Sequence, residues 1–252
     1  MKRSISFFLL ISILLVGIAG CTPAVAAEPT PTPIPPTPTS PLQAVLGKLH
    51  WFGTSAFLYN GSKVIYFDPI GLDGTLPPAD LILVTHAHSD HWSVVDIKKI
   101  IGPNTTLIIG PIVSSYYEAS KSNLGIPATI LSEGQTTEVD GVSIQAVPAY
   151  DTIGHVKGSG GVGFLVKVDG VTLYHSGGTA AYPEMANYKC DIAFIPVYSK
   201  DQSQAMAEVI PAKMIIFEHT SYYAAQAVAD LFTKSIGGGK TFVAMEAGPN
   251  TP

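Results

Sequence analysis

Between Thr85 and His91 the chain reads THAHSDH, which gathers three of its seven histidines and one aspartate into six residues. The run before it, LILV, is continuous apolar chain of the kind that forms a buried strand. Where such a strand ends, His86 and His88 stand two apart in extended chain and point to the same side, so they can grip one ion together. Asp90 and His91 follow as the chain turns towards a helix, and their side chains can face a second ion close to the first. Imidazole and carboxylate suit zinc, with manganese or iron as alternatives. An ion held this way acidifies water, so the chemistry it points to is hydrolysis of an ester, lactone, amide or phosphodiester.

The elements that must position this cluster are legible as turn signals and apolar runs. Asn60-Gly61, Asp140-Gly141 and Asp169-Gly170 each separate two β-rich runs, the pairing that marks a hairpin. Further strands are expected at LILV before Thr85 and at TTLIIG, DIAFIPV and KMIIFE. Helix-compatible stretches lie between them: SVVDIKKII, PIVSSYYEASKSN, SQAMAEVI and SYYAAQAVADLFTKS. Hairpins that feed alternating strands and helices, once in each half, predict an α/β fold of two mixed sheets face to face with helices outside.

THAHSDH resembles the signature of the metallo-β-lactamase superfamily, Thr/Ser-His-x-His-x-Asp-His. The likeness extends through LHWFGTSAFLY, VIYFDP, VPAYDTIGHVKGSGGVGFLV, LYHSGGT and IIFEHTSYY. The wording of VPAY, the later His and Lys-Gly, and PEM is similar to the branch holding ascorbate-phosphate lactonase-like and N-acylethanolamine phospholipase-D-like hydrolases. The resemblance implies a four-layer αββα sandwich. It also implies that His86, His88 and His155 hold a first metal while Asp90, His91 and His219 hold a second, with Asp90 orienting the nucleophile as the catalytic residue.

One position departs from that pattern. In HSGGT the family usually places an aspartate that bridges the two metals, and here the position is Gly178. Without that carboxylate two neighbouring dications are poorly neutralised, which leaves open one metal, two bridged by hydroxide or a borrowed carboxylate, or none. Asp151 and Glu218 are the candidate substitutes, and Gly178→Asp is expected to raise metal occupancy. The competing reading that Gly178 motivates is a non-catalytic metal- or ligand-binding protein on a degraded hydrolase site.

Other features carry less. GSGGVG precedes a strand and not a helix, so it reads as a hairpin entry more than a phosphate cradle. GGGKT lacks the spacing of a phosphate-binding loop. His175 is expected to orient a ligand from behind, and His50 and Trp51 to pack in the core. Trp92, Tyr116, Tyr117 and Tyr150 are candidates to line a substrate groove.

The N-terminal stretch of the chain speaks to its location. MKRSISFFLLISILLVGIAGC has the basic start, apolar stretch and small residues of a secretory signal, and IAGC resembles a bacterial lipobox that leaves Cys21 lipidated as the first mature residue. Residues 1–21 are thus expected to be a lipoprotein signal, residues 22–41 a Pro/Thr-rich spacer of extended chain, and residues 42–252 the folded domain. The expected place is the bacterial cell envelope, anchored through lipid and facing outside the cytoplasm. Cys190, the other cysteine, has no internal partner and reads as a small buried apolar residue. Charged residues make up 13% of the chain and the net charge is -5, against a typical ~25% charged. That balance argues against nucleic acid as a partner and for a small-molecule substrate.

Overall fold

The computed structural model describes residues 40–151 and 155–247; the expected signal, Cys21 and most of the spacer lie outside them. A short helix, α1 (Pro41–Leu46), opens the described chain, capped by the Ser40 side chain. The first sheet runs β1 (Leu49–Gly53), β2 (Ala56–Asn60), β3 (Val64–Phe67), β4 (Ala79–Val84), β5 (Ile101–Ile109) and β6 (Ala128–Ile130), in spatial order of sequence. Helices α2 (Val94–Ile100) and α3 (Ser114–Leu124) are its crossovers. The second sheet holds β7 (Thr136–Val139), β8 (Val142–Pro148), β9 (Val162–Val168), β10 (Val171–His175), β11 (Ile192–Pro196), β12 (Met214–Glu218) and β13 (Thr241–Val243). Helices α4 (Lys200–Val209) and α5 (Tyr222–Ser235) connect its later strands.

Both sheets begin with antiparallel neighbours and end with parallel ones. In the first, β1 to β3 are antiparallel and β3 to β6 parallel. In the second, β7 to β10 are antiparallel and β10 to β13 parallel. This is the mixed character that the hairpin signals implied. Two of the three hairpin signals are two-residue turns with left-handed backbone at both positions: Asp140-Gly141 (φ 49° and 84°) and Asp169-Gly170 (φ 48° and 76°). The third is longer, because Asn60 still pairs with Val64 and residues 61–63 make the loop.

Strand alternation divides the apolar residues between layers. Along β4, Leu81 and Leu83 face the second sheet in one cluster with Phe57, Phe67, Phe164, Phe194 and Ile216. Ile82 and Val84 face the other way, onto Ile97 and Ile100 of α2 and Leu124 of α3. On the far side, Phe217 and Ile215 of β12 meet Met206 of α4 and Phe232 of α5. Helices, sheet, sheet, helices is the expected four-layer order. Trp51 is core at 1% exposure and Cys190 is buried and free, with burial pushing its thiol up to about 12.

Candidate metal centre

The candidate ligands lie in the segments that follow strand ends. Thr85 to His91 follow β4, and His219 follows β12; residues 149–151 and 155 follow β8 on the way to β9. Serine caps fix where each loop ends. Ser93 caps α2 by accepting from Asp96 N–H at 3.1 Å, two residues after His91. Ser221 caps α5 by accepting from Ala224 N–H at 3.3 Å, two residues after His219. Such caps satisfy helix N–H groups that have no intrahelical partner. The backbone at His219 is left-handed (φ 53°), held by its N–H donating to Thr54 O at 2.9 Å.

The structure brings together all six residues named above. His86, His88 and His155 form one group and Asp90, His91 and His219 another, each with ligand atoms within 4.8 Å of one another. Ring centroids are 4.2 Å apart for His86 and His155, and 4.6 Å for His88 and His155. The Nε2 atoms of His91 and His219 are 2.9 Å apart. Asp90 Oδ2 is 3.9 Å from each of them. His88 and Asp90 are the exposed members, so they form the mouth of the centre, while His86, His91 and His155 are buried.

Hydrogen-bond partners assign the tautomers. The Thr85 hydroxyl donates to Asp68 Oδ2 at 2.7 Å, so its oxygen is left to accept from His86 Nδ1 at 2.9 Å. His91 Nδ1 donates to Asp68 Oδ2 at 2.7 Å, with Ser55 Oγ at 2.9 Å. His155 Nδ1 donates to the Gly178 carbonyl at 2.8 Å. In each ring the proton is thereby fixed on Nδ1 and Nε2 carries the lone pair. The Nε2 of His155 is buried without a partner among the described residues, a costly state for a lone polar atom and the one a metal ligand would satisfy. The donor set, imidazole and carboxylate at this spacing, fits a divalent ion.

Electrostatics favour the neutral form of three of the rings, the form that ligation requires. Burial, reinforced by the neighbouring histidines, holds His86 far below the usual imidazole range. Burial and then His88 lower His155. Burial and His91 push His219 down to about 3. For Asp68, burial alone would raise the carboxyl, but His91, His175 and the Thr85 N–H outweigh it and leave it below its ordinary value. Asp68 is therefore an anion inside the protein, paired with the ring it orients.

Asp68 is the functional residue that sequence reading missed. It stands at 0% exposure directly after β3 with φ 42°. The parallel pairing of β3 and β4 sets its N–H on Leu83 O at 2.8 Å and its Oδ1 on Thr85 N–H at 2.7 Å. The available signal was an acid ending an apolar strand, VIYFDP. His175 lies behind it, with Nε2 donating to Ser55 O at 2.8 Å and Nδ1 3.9 Å from Asp68 Oδ2.

The two substitutes considered for the bridging carboxylate differ in state. Glu218 is fully buried, accepts from Ser176 Oγ at 3.2 Å, and is held protonated by burial and by Asp68. Asp151 accepts from the His155 N–H at 3.0 Å and so braces the loop that carries this histidine. Gly178 also leaves little room for an aspartate: a Cβ there would lie 2.6 Å from His155 Cε1. Its backbone is not left-handed, unlike that of Gly177 (φ 60°), so the obstacle is crowding and not φ. The expected gain from Gly178→Asp thus requires the His155 ring to move.

The aromatic candidates divide. The Tyr117 hydroxyl donates to Ile126 O and accepts from Ala128 N–H, both at 3.1 Å, a structural tie. Tyr150 stacks on Tyr182, Trp92 packs against the outer core of the first sheet, and Tyr116 is exposed on α3. GSGGVG serves close approach: a Cβ at Gly163 would meet His175 O at 2.9 Å. In GGGKT the Lys240 ammonium is spent on the Ile210 carbonyl.

Comparison with known proteins agrees with this geometry. A beta-lactamase superfamily domain model matches residues 48–217. A UPF0173 metal-dependent hydrolase of Methanosphaerula palustris is 30% identical over 207 residues, covering 75% of this chain and 91% of that protein. A Parabacteroides distasonis protein described as a metal-dependent hydrolase superposes with a TM-score of 0.64 at 26% identity, covering 77% of this chain and 90% of that one. A metallo hydrolase of Ignicoccus hospitalis shares the fold with a TM-score of 0.63 at 20% identity, over 81% of this chain and 96% of that one. A sandwich with histidines and aspartates converging at its strand ends, matched along most of its length by such relatives, places the chain in the metallo-β-lactamase superfamily, within its UPF0173 metal-dependent hydrolases.

Proposed function

We propose that the protein hydrolyses an ester, lactone or phosphodiester of a small molecule, and that lipid on Cys21 holds it at the outer face of a bacterial cell envelope. The observation that carries the catalytic reading is the buried Nε2 of His155, without a partner among the described residues and grouped with ligand atoms of His86 and His88 within 4.8 Å of one another. His86, His88 and His155 would hold one ion and Asp90, His91 and His219 a second, with zinc the best match and manganese or iron the alternatives. Such an ion supplies a water of lowered pKa and polarises the oxygen of the scissile group.

The chain's own residues do the rest. Asp68 fixes His91 and, through Thr85, His86, so neither ring must reorganise when the ion enters. Asp90, exposed at the mouth, would orient the attacking water, the role that the family resemblance gives it. A net charge of -5 disfavours large polyanions and supports a small substrate. The lipid anchor rests on the signal-like segment ending IAGC.

The test is to purify the full chain without chelator and measure zinc, manganese and iron. The protein is then screened against aryl esters, lactones and phosphodiesters. Turnover should fall about 10²–10⁴-fold in Asp90→Asn with the fold retained by circular dichroism. Bound metal without turnover on any class would favour instead the non-catalytic binding protein that Gly178 suggests, and a folded chain that takes up no metal would overturn both.

A further inference from the structure

At Gly178 the chain lacks the carboxylate that, by the family resemblance, would bridge two ions. We infer that Tyr198 takes over that role, its phenolic oxygen serving as the ligand that the missing carboxylate would have provided. This rests on the reading of the centre as a metal site. A side chain built on Gly178 would place its Cβ 3.3 Å from the Tyr198 hydroxyl oxygen, 2.6 Å from His155 Cε1 and 3.1 Å from His86 Cε1. A carboxylate oxygen two bonds farther along would fall in the space this hydroxyl borders. The same tyrosine lies edge-on to His219, with ring centroids 5.1 Å apart at 62°. The ring thus lies against a ligand of the second ion position, while the hydroxyl borders the space between Gly178 and the rings of the first.

The topology explains how a residue remote in sequence arrives there. Strands β10, β11 and β12 are parallel neighbours, with His175 paired to Phe194 and Pro196 to Glu218. Gly178, Tyr198 and His219 are what follow the three strand ends, side by side along one edge. Ser199 caps α4 by accepting from Gln202 N–H at 3.3 Å, which fixes the backbone next to Tyr198. Although Tyr198 is 48% exposed, its hydroxyl faces inward. Of the two carboxylates weighed above, Glu218 is held protonated by burial and by Asp68, and Asp151 accepts from the His155 N–H.

Coordination exchanges the phenol O–H bond for an oxygen–metal bond, and the proton leaves to water, as for any ligand that binds as its deprotonated form. The experiment loads the full chain with iron(III) alone and, separately, with zinc(II) alone. A phenolate on iron(III) gives a visible charge-transfer band that imidazole and carboxylate ligands do not. The wild type should show this band. Tyr198→Phe should lose it while keeping its circular dichroism, and should bind zinc about tenfold more weakly or worse. Iron bound to the wild type without the band, or a band that survives in Tyr198→Phe, would overturn the inference and leave the metal-site reading standing. A folded wild type that binds neither metal would overturn that reading and the inference together.

Discussion

The Asp68 carboxylate accepts three hydrogen bonds, from the Thr85 N–H, the Thr85 hydroxyl and His91 Nδ1, each at 2.7 Å. Two candidate ligands, His86 and His91, are thus aimed by one buried anion. Asp68→Asn keeps the shape but removes the charge and turns one acceptor into a donor facing the Thr85 hydroxyl or His91. Metal affinity should fall about 10- to 100-fold, read by competition titration with a chelating dye, while Asp90→Asn should leave the rings in place. His86, His88, Asp90 and His91 were legible because one local spacing holds all four. Asp68 was not, since its meaning comes from the pairing of β3 with β4 and no single stretch of chain contains it. Gly178 announced a missing group, but what borders the gap is Tyr198, from the next strand over.

Elements were read best where the turn chemistry is strict. Asp140-Gly141 and Asp169-Gly170 are two-residue turns because aspartate and glycine tolerate left-handed backbone, and both hairpins fall where they were expected. Asn60-Gly61 marked a real hairpin but not its loop, since pairing carries through Asn60 and shifts the turn onward. The end of α2 was misplaced for a related reason: SVVDIKKII is apolar enough to be helix or strand, and Ile101 goes to β5. Asp169 does more than turn the chain. It accepts from Lys48 Nζ at 2.9 Å, from Ser62 N–H at 3.2 Å and from the buried Tyr59 hydroxyl, tying the β9–β10 hairpin to the β2–β3 loop of the other sheet. Asp169→Ala loses these bonds and puts a Cβ-bearing residue with no local compensation at φ 48°, a cost of about 2 kcal/mol or more. The expected Tm loss is about 4–8 °C. Asp169→Asn, which tolerates the same backbone, should recover most of it; equal losses in both would assign the effect to charge alone.

At the scale of the molecule, the sandwich buries neutral imidazoles and a neutral acid, and these pull stability in opposite directions with pH. His86, His155 and His219 have folded pKa values below the ordinary 6.5, about 3 for His219. As pH falls below about 6.5 the unfolded chain takes up protons that the folded chain refuses, so stability is full above that point and is lost towards about pH 3. Glu218 is raised above its ordinary 4.5, so its contribution is present below about pH 4.5 and is lost as pH rises. The Tm of metal-free protein should therefore drop on acidification from pH 7 to 5. Glu218→Gln should gain on the wild type progressively from pH 5 to 8; a gain independent of pH would mean that Glu218 is ionised in the fold.

The proposed attachment to a surface belongs to the same scale, because it would govern where the whole domain works. Among the described residues no helix is long and apolar enough to cross a membrane, and α1 begins at Pro41, directly after the Pro/Thr-rich run. A spacer of about 20 residues in polyproline II conformation reaches about 60 Å, enough to clear a lipid headgroup layer. If Cys21 carries the lipid, Cys21→Ser blocks its attachment without touching any residue of the fold. The variant should then partition differently from the wild type in detergent phase separation, and mass spectrometry of the wild-type N-terminal peptide should show a diacylated or triacylated Cys21. Zinc content should be the same in both forms, since the centre lies wholly within the sandwich. A wild-type mature chain that begins elsewhere and stays in the aqueous phase would remove the anchor, while leaving the metal centre and its chemistry as they stand.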